Sequence, residues 1–404
     1  MKDQTYRVYG YRWVVLAVFM FINVTVQMLW ITYAPITGPA AKFYGVPDSQ
    51  IGLLAMTFMI VYVISLSVPV SWVIDRYGFR LAVSIGAVFI GVFGIVRGLV
   101  GANYGLVLAS SVGIAIGQPF LMNSWTKVPA NWFSINERAT AVGLVTLANL
   151  LGTALGMLLT PILTETLPIP TVQAIFGGAA ALGAVLFIFL AREHPLTPPC
   201  PPGMEVRSLM LDGLKQIVRS VPFWMFVFVY FVGMGLFNGI STWVENIIRP
   251  RGFSPTDAGT LGALMVFGGI LGAVIFPMLS DKQHKRQRYM LIGVLLAIPG
   301  LVGVTFATVY WLLLLSAFFM GFFLISVAPI GMQYVAEITY PAPEGTSAGM
   351  LQWFGQVSVV FVYIMEAMKT RDGAFTPSLL LSIGLLLILA VLISRMKDAP
   401  VRTA

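Results

Sequence analysis

The chain has 404 residues, 58% of them hydrophobic and only 10% charged, against roughly 25% charged in soluble domains. Two histidines, His194 and His284, and one cysteine, Cys200, are too few soft ligands for a structural zinc site, an iron–sulfur cluster or a disulfide framework, so no metal or other cofactor is expected. The net charge of +8 lies in short gaps between apolar runs, where it orients membrane segments rather than binding nucleic acid.

A membrane-crossing helix needs about 20 apolar residues. In chain order the sequence offers twelve such windows, at 13–37, 49–74, 81–100, 104–126, 138–163, 171–191, 222–247, 256–280, 289–308, 310–333, 345–368 and 375–395. The fold class expected is therefore an all-α integral membrane protein with the lipid bilayer as its solvent. The first window is long, lacks an A-x-A-like end and runs straight into the second, so it reads as a retained span rather than a cleaved signal peptide.

Cytoplasmic loops hold the excess of Lys and Arg. With both termini cytoplasmic, 18 of the 24 basic residues fall on that side, and six on the other: Lys42, Arg97, Arg249, Arg251, Lys369 and Arg371. An odd number of spans would scramble this bias. Short loops point to a multi-pass protein of a plasma (inner) membrane.

The longest polar gap begins at Arg192, carries Pro195, Pro198, Pro199, Pro201 and Pro202, and separates six windows from six. It divides the chain into an N-terminal bundle at 1–192, a cytoplasmic linker at 193–220 and a C-terminal bundle at 221–404. The bundles repeat one another: Gly52 and Gly259 are 207 residues apart, as are Glu137 and Glu344, while Asp75 with Arg76 returns as Asp281 with Lys282 after 206. Two parallel six-span repeats are the pattern of a major facilitator transporter, with twelve helices in two pseudo-symmetric bundles.

Asp75-Arg76-Tyr77-Gly78-Phe79-Arg80, in the short loop after the second window, resembles the signature of that superfamily. Gly78 permits the tight turn, and Arg76 and Arg80 can pair with acids when the inner gate closes. In the second copy Asp281 and Lys282 remain but the turn glycine is lost. Glu137 and Glu344 open their helices, where an acid suits the positive dipole end; they are also placed to serve as latch partners for Arg76, Arg80 or Lys282. A plain anchoring role for the two arginines is the alternative.

Polar and aromatic residues within spans are the candidates for cargo contact, because a polar group in hydrocarbon needs a partner. Gln27, Trp30 and Tyr33 share one face of the first helix. The fourth carries Gln118 and Asn123 and the fifth Asn149; Asn238, Thr242 and Glu245 make one side of the seventh polar, with Trp243 beside them; Gln352 and Gln356 lie a turn apart in the eleventh. Interhelical hydrogen bonding explains Asn123 and Asn149 equally well. Trp30 can instead be an interfacial belt residue. Glu245 is an acid on a polar stripe, which faces water, pairs, binds a cation or carries a coupling proton. Glu366, three residues before Lys369, reads as a surface pair.

Beyond the superfamily pattern, the chain resembles the feline leukaemia virus subgroup C receptor-related proteins, transporters of haem, choline and ethanolamine. The resemblance is carried by the string from Ala336-Glu337-Ile338-Thr339-Tyr340-Pro341 through Glu344-Gly345-Thr346-Ser347 to Gln356, by Phe43-Tyr44-Gly45-Val46, by Trp132-Phe133-Ser134-Ile135-Asn136-Glu137-Arg138, and by Gly235-Leu236-Phe237-Asn238-Gly239. It implies an aromatic cage for a quaternary ammonium at Trp30, lined also by Gln118 and Gln356. Asn238 stands where the choline-transporting members carry tyrosine, which removes one wall; Trp243 and Glu245 lie one and two turns further on.

These readings converge on a transporter, not an enzyme: no H-E-x-x-H, nucleotide-binding P-loop or G-x-S-x-G strand is present. The expected cargo is a small organic cation such as choline or ethanolamine, moved by a monomer through alternating access. A haem or porphyrin transporter and a proton-coupled multidrug or amphipathic-solute antiporter are the alternatives.

Overall fold

The computed structural model describes residues 8–197, 217–339 and 344–398, and among these every regular element is helical. Among the described residues, eleven helices are long and apolar enough to cross a membrane, or twelve when the bent pair in the second window counts as one span. The expected linker falls mostly on 198–216, outside the described residues, as does Cys200.

Prolines set where the spans bend. The first span runs Arg12–Tyr44, seven residues past its window. Its opening helix, Arg12–Ile31, stops because Pro35 has no N–H for the carbonyl of Ile31; a 3-10 turn, Ala34–Ile36, then leads into a second helix, Thr37–Tyr44. Gly45, with φ +67°, ends that helix in the left-handed cap that glycine adopts at little cost. In the second span, Asp48–Val61 passes through a π-turn, Tyr62–Leu66, before Ser67–Tyr77; Pro69 cannot donate to residue 65, and the wider turn accommodates the missing bond.

The third to sixth spans are Phe79–Leu99, Tyr104–Met122, Ile135–Thr164 and Ile169–Leu190. The seventh, Val221–Thr242, is followed by a short helix, Val244–Ile248. The eighth, ninth and tenth are Pro255–Gln283, Arg286–Phe306 and Tyr310–Thr339. The eleventh is interrupted at Ser358, between Glu344–Val357 and Val359–Ala367, and the twelfth is Thr376–Ser394.

The described chain forms two compact units. Of the described residues, the first holds 8–30, 57–156 and 163–197; the second holds 31–56, 157–162, 217–339 and 344–398. The unit boundaries thus pass within the first, second and fifth spans, so the second unit includes pieces of the N-terminal half of the chain.

With lipid on one side and protein on the other, close backbone approach rather than water exclusion drives helix packing. In the first unit the third and sixth spans cross at small residues: a methyl added to Gly98 would lie 2.4 Å from the nitrogen of Ala174, and one on Gly177 would lie 2.2 Å from the carbonyl carbon of Gly94. In the second unit Gly268, Gly272 and Gly321 do the same where the eighth and tenth spans meet. Large apolar side chains such as Leu99, Phe189, Trp311 and Ile388 are exposed, as a lipid-facing surface requires.

Candidate functional site

In the first unit Trp30 is buried in the last turn of the first helix, close to the break that Pro35 enforces. Gln118, in the last turns of the fourth span and 4% exposed, holds an Oε1 that accepts no hydrogen bond. A buried amide oxygen without a donor costs about 1–3 kcal/mol, so this atom is a ready acceptor for a ligand hydroxyl or ammonium.

In the second unit the phenol of Tyr33 is 3.0 Å from that of Tyr44, and both are buried. Along the seventh span the Asn238 amide donates to Ser358 Oγ over 3.2 Å, which engages it at the interruption of the eleventh. Thr242 and its neighbour Ser241 are buried with hydroxyl oxygens that make no hydrogen bond. Gln356 is buried and Gln352 half-buried on the eleventh span.

Trp243, expected as a replacement wall for the cargo, is fully buried as a packing wedge. Its indole N–H donates to the carbonyl of Val362 at 3.0 Å, its ring lies 5.6 Å from that of Phe375, and its far edge covers Gly52, where a methyl would come within 2.3 Å of Cη2.

Glu245, expected to meet cargo or a proton, is committed to the protein instead. One carboxylate oxygen accepts the backbone N–H of Gly38 at 3.2 Å and lies 3.6 Å from Arg249. Gly38 is in the first turn of Thr37–Tyr44, so the acid caps the positive end of the half-helix beyond the break. Arg249 also pairs with Asp48, and Asn246 donates to the same Asp48 oxygen at 2.8 Å. Burial alone would lower the Arg249 pKa, but the Asp48 hydrogen bond and the charges of Glu245 and Asp48 raise it above its usual value. The result is a charge cluster that ties the start of the second span to the end of the seventh. Asp48 and Arg249 escaped sequence reasoning because only their three-dimensional proximity marks them.

In the signature loop Gly78 has φ +86° and lies beneath the carboxylate of Glu193, which accepts the backbone N–H groups of Phe79 at 3.0 Å and Arg80 at 2.6 Å. Glu193 thus caps the third span from the end of the sixth, and Asn131 binds its side chain and its carbonyl at 3.3 Å each. Arg80 donates to the carbonyl of Ile188 at 3.2 Å. Arg76 stands 5.8 Å from the rings of both Trp72 and Tyr77. Asp75 pairs with Lys127 at 2.7 Å, and Glu137 with Arg12 at 2.8 Å, the latter acid also accepting from Ser134. Glu137 therefore joins the start of the first span to the start of the fifth: it keeps the place at a helix start expected of an acid there, while its ion-pair partner is Arg12 instead of Arg76, Arg80 or Lys282. Glu193 was the missed member; an acid at the outlet of the sixth span, just before Pro195, was its signal.

In the second copy Asp281 pairs with Arg286, whose guanidinium also reaches Glu337 at 2.9 Å and Ser280 at 3.2 Å. Lys282 is exposed, and the side chain of Glu344 lies outside the described residues. Arg286 stands 206 residues after Arg80, the same interval that separates the two Asp residues, so the repeat arithmetic would have found it.

A profile of the Major Facilitator Superfamily matches residues 15–362, and again 246–403. The chain is 29% identical to solute carrier family 49 member A3 of Danio rerio, over 90% of this chain and 80% of that protein. It is 27% identical to the choline/ethanolamine transporter FLVCR2 of Homo sapiens, over 92% and 76%, and 26% identical to that of Rattus norvegicus, over 96% and 74%. Its fold is similar to a crystal structure of a bacterial homologue of the human lysosomal transporter Spinster in an inward-facing, unoccupied conformation, with TM-score 0.75, 16% identity, and coverage of 96% of this chain and 97% of that one.

Proposed function

This chain belongs to the Major Facilitator Superfamily, and from that premise we propose that it carries a small organic cation of the choline or ethanolamine class across its membrane by alternating access. It is a multi-pass membrane transporter rather than an enzyme. The observation that supports the cargo class most is the pair of buried groups in the first unit, the Trp30 indole and the orphan Gln118 Oε1. An indole face attracts a desolvated cation by about 2 kcal/mol, and an amide oxygen accepts the hydroxyl hydrogen that both choline and ethanolamine offer, or the ammonium hydrogen that ethanolamine alone carries. In the second unit Thr242 and Gln356 add buried polar groups with the same chemistry. The names carried by the mammalian relatives point to the same class.

Glu245 and Trp243 serve as structure in this reading, the first as a helix cap within the Asp48–Arg249 cluster and the second as a wedge on Gly52. In this reading the contacts of Asp75, Arg80 and Glu137 act as gate elements, and the excess of Lys and Arg in the loops on one side supports cytoplasmic termini. Counterflow in proteoliposomes tests the proposal. Vesicles preloaded with unlabelled choline or ethanolamine accumulate the labelled amine if the reading holds, and accumulate none if the cargo class is wrong.

A further inference from the structure

We propose that Arg97 is a positioning residue, whose guanidinium caps the broken end of the first-span helix and so sets the placement of Trp30; its functional consequence rests on the cation reading above. Arg97 is 1% exposed, two residues before the end of the third span. A charge held inside a membrane protein costs roughly 3 kcal/mol on insertion scales, so it persists only where it is paired or needed. Its Nη2 donates to the carbonyl of Leu29 at 2.9 Å.

Leu29 is in the last turn of Arg12–Ile31, whose final carbonyls lack intrahelical donors and carry the negative end of the helix dipole. The helix ends at Ile31 and the chain turns at Thr32 and Tyr33, so the Leu29 carbonyl has no α-helical donor from the next turn, while Pro35 withholds the one that Ile31 would need. A cation at this end is favourable on both counts, through the hydrogen bond and through the dipole. Glu245 does the converse within the second unit, an anion on the amide end of Thr37–Tyr44. Each half-helix end at the break therefore receives a side chain of the opposite sign.

The arginine projects from a rigid platform. Gly94 and Gly98 flank it and bring the third span against Gly177 and Ala174 of the sixth, while a methyl at Gly94 would meet Leu29 Cδ1 at 3.3 Å. Side chain and carbonyl of Leu29 are thus both held by the same stretch of the third span. The peptide plane they fix is the one that leads into Trp30, so the orientation of the indole follows from the position of Arg97.

The test is amide hydrogen exchange on the ligand-free, full-length protein, followed by transport kinetics. In R97M, exchange in the peptide covering residues 28–36 should accelerate by roughly tenfold or more, while peptides in the third and sixth spans keep their wild-type rates. R97K, which retains the charge, should recover part of that protection and serves if R97M folds poorly. In transport, R97M should raise KM for the amine roughly tenfold and leave the maximal rate within about twofold. Wild-type exchange at 28–36 in R97M overturns the proposal, and so does equal acceleration across all three spans, which marks a merely structural residue. Because exchange is read without cargo, a wrong cargo class would leave the first result standing and abolish only the second.

Discussion

Asp48, which opens the second span, is ion-paired with Arg249, 201 residues later and just beyond the seventh. The same arginine faces Glu245, whose side chain is 3% exposed while that of Arg249 is 41% exposed. The two acids are therefore not equivalent. The exposed pair contributes at most about 1 kcal/mol, whereas removing the cation leaves a buried carboxylate with no countercharge.

Replacing Arg249 with methionine should consequently lower the melting temperature more than replacing Asp48 with asparagine. Adding Glu245→Gln to Arg249→Met should restore most of the loss, because the buried charge disappears with its partner. Equal effects of R249M and D48N, or no rescue in the double variant, would contradict the assignment of Glu245 as a buried cap.

Gly52→Ala should destabilise by about 1–3 kcal/mol, since its methyl would come within 2.3 Å of the Trp243 ring. Trp243→Phe, with a smaller ring, should relieve the clash in the G52A background while costing stability alone. If instead Trp243 were a cargo wall, W243F would change amine binding with little effect on melting, and the two readouts separate the roles.

At the signature loop, Gly78→Ala meets two obstacles, a φ of +86° that costs a side chain about 1–2 kcal/mol and a contact of 2.5 Å with the Glu193 carboxyl carbon. Glu193→Ala removes a helix cap, a loss of about 0.5–2 kcal/mol, while Glu193→Gln keeps an acceptor and should lose less. Chemical denaturation of the three variants gives the order directly: G78A least stable, then E193A, then E193Q. An E193A protein as stable as wild type would mean that the cap carries no weight.

In the second copy, Glu337→Ala should cost more than Asp281→Ala. Arg286 is 8% exposed and Glu337 31%, but Asp281 is 61% exposed, so water readily replaces the latter. Thermal unfolding of the two variants decides it, and a reversed order would contradict the burial argument.

The spans were legible in the sequence because hydrocarbon demands long apolar helices, and apolar length survives any rearrangement of partners. Their ends were less so. The run Thr37-Gly38-Pro39 reads as a stop, yet the chain continues as helix to Tyr44, because Glu245 caps the new start and Gly45 the new end. The seventh span showed the opposite error: its window ran on to 247, but the span breaks after Thr242, where Trp243 turns to wedge against Gly52. The polar residues Trp30, Gln118, Thr242 and Gln356 could be picked out because a polar or aromatic side chain inside a span requires a reason. Pairings could not. Arg12 with Glu137, Asp48 with Arg249 and Arg97 with Leu29 join residues 125, 201 and 68 positions apart, and no local pattern encodes such distances.

The most direct test of the cargo assignment is a thermal-shift titration of the purified protein with choline and with ethanolamine, on wild type, Trp30→Ala and Gln118→Ala. A ligand that binds only the folded state stabilises it by about 2.7 kcal/mol at a hundredfold excess over Kd. The account predicts that one or both amines raise the melting temperature of the wild type and that the shift vanishes in W30A and shrinks in Q118A. A wild type that neither amine shifts, or a W30A protein shifted as much as wild type, would contradict it.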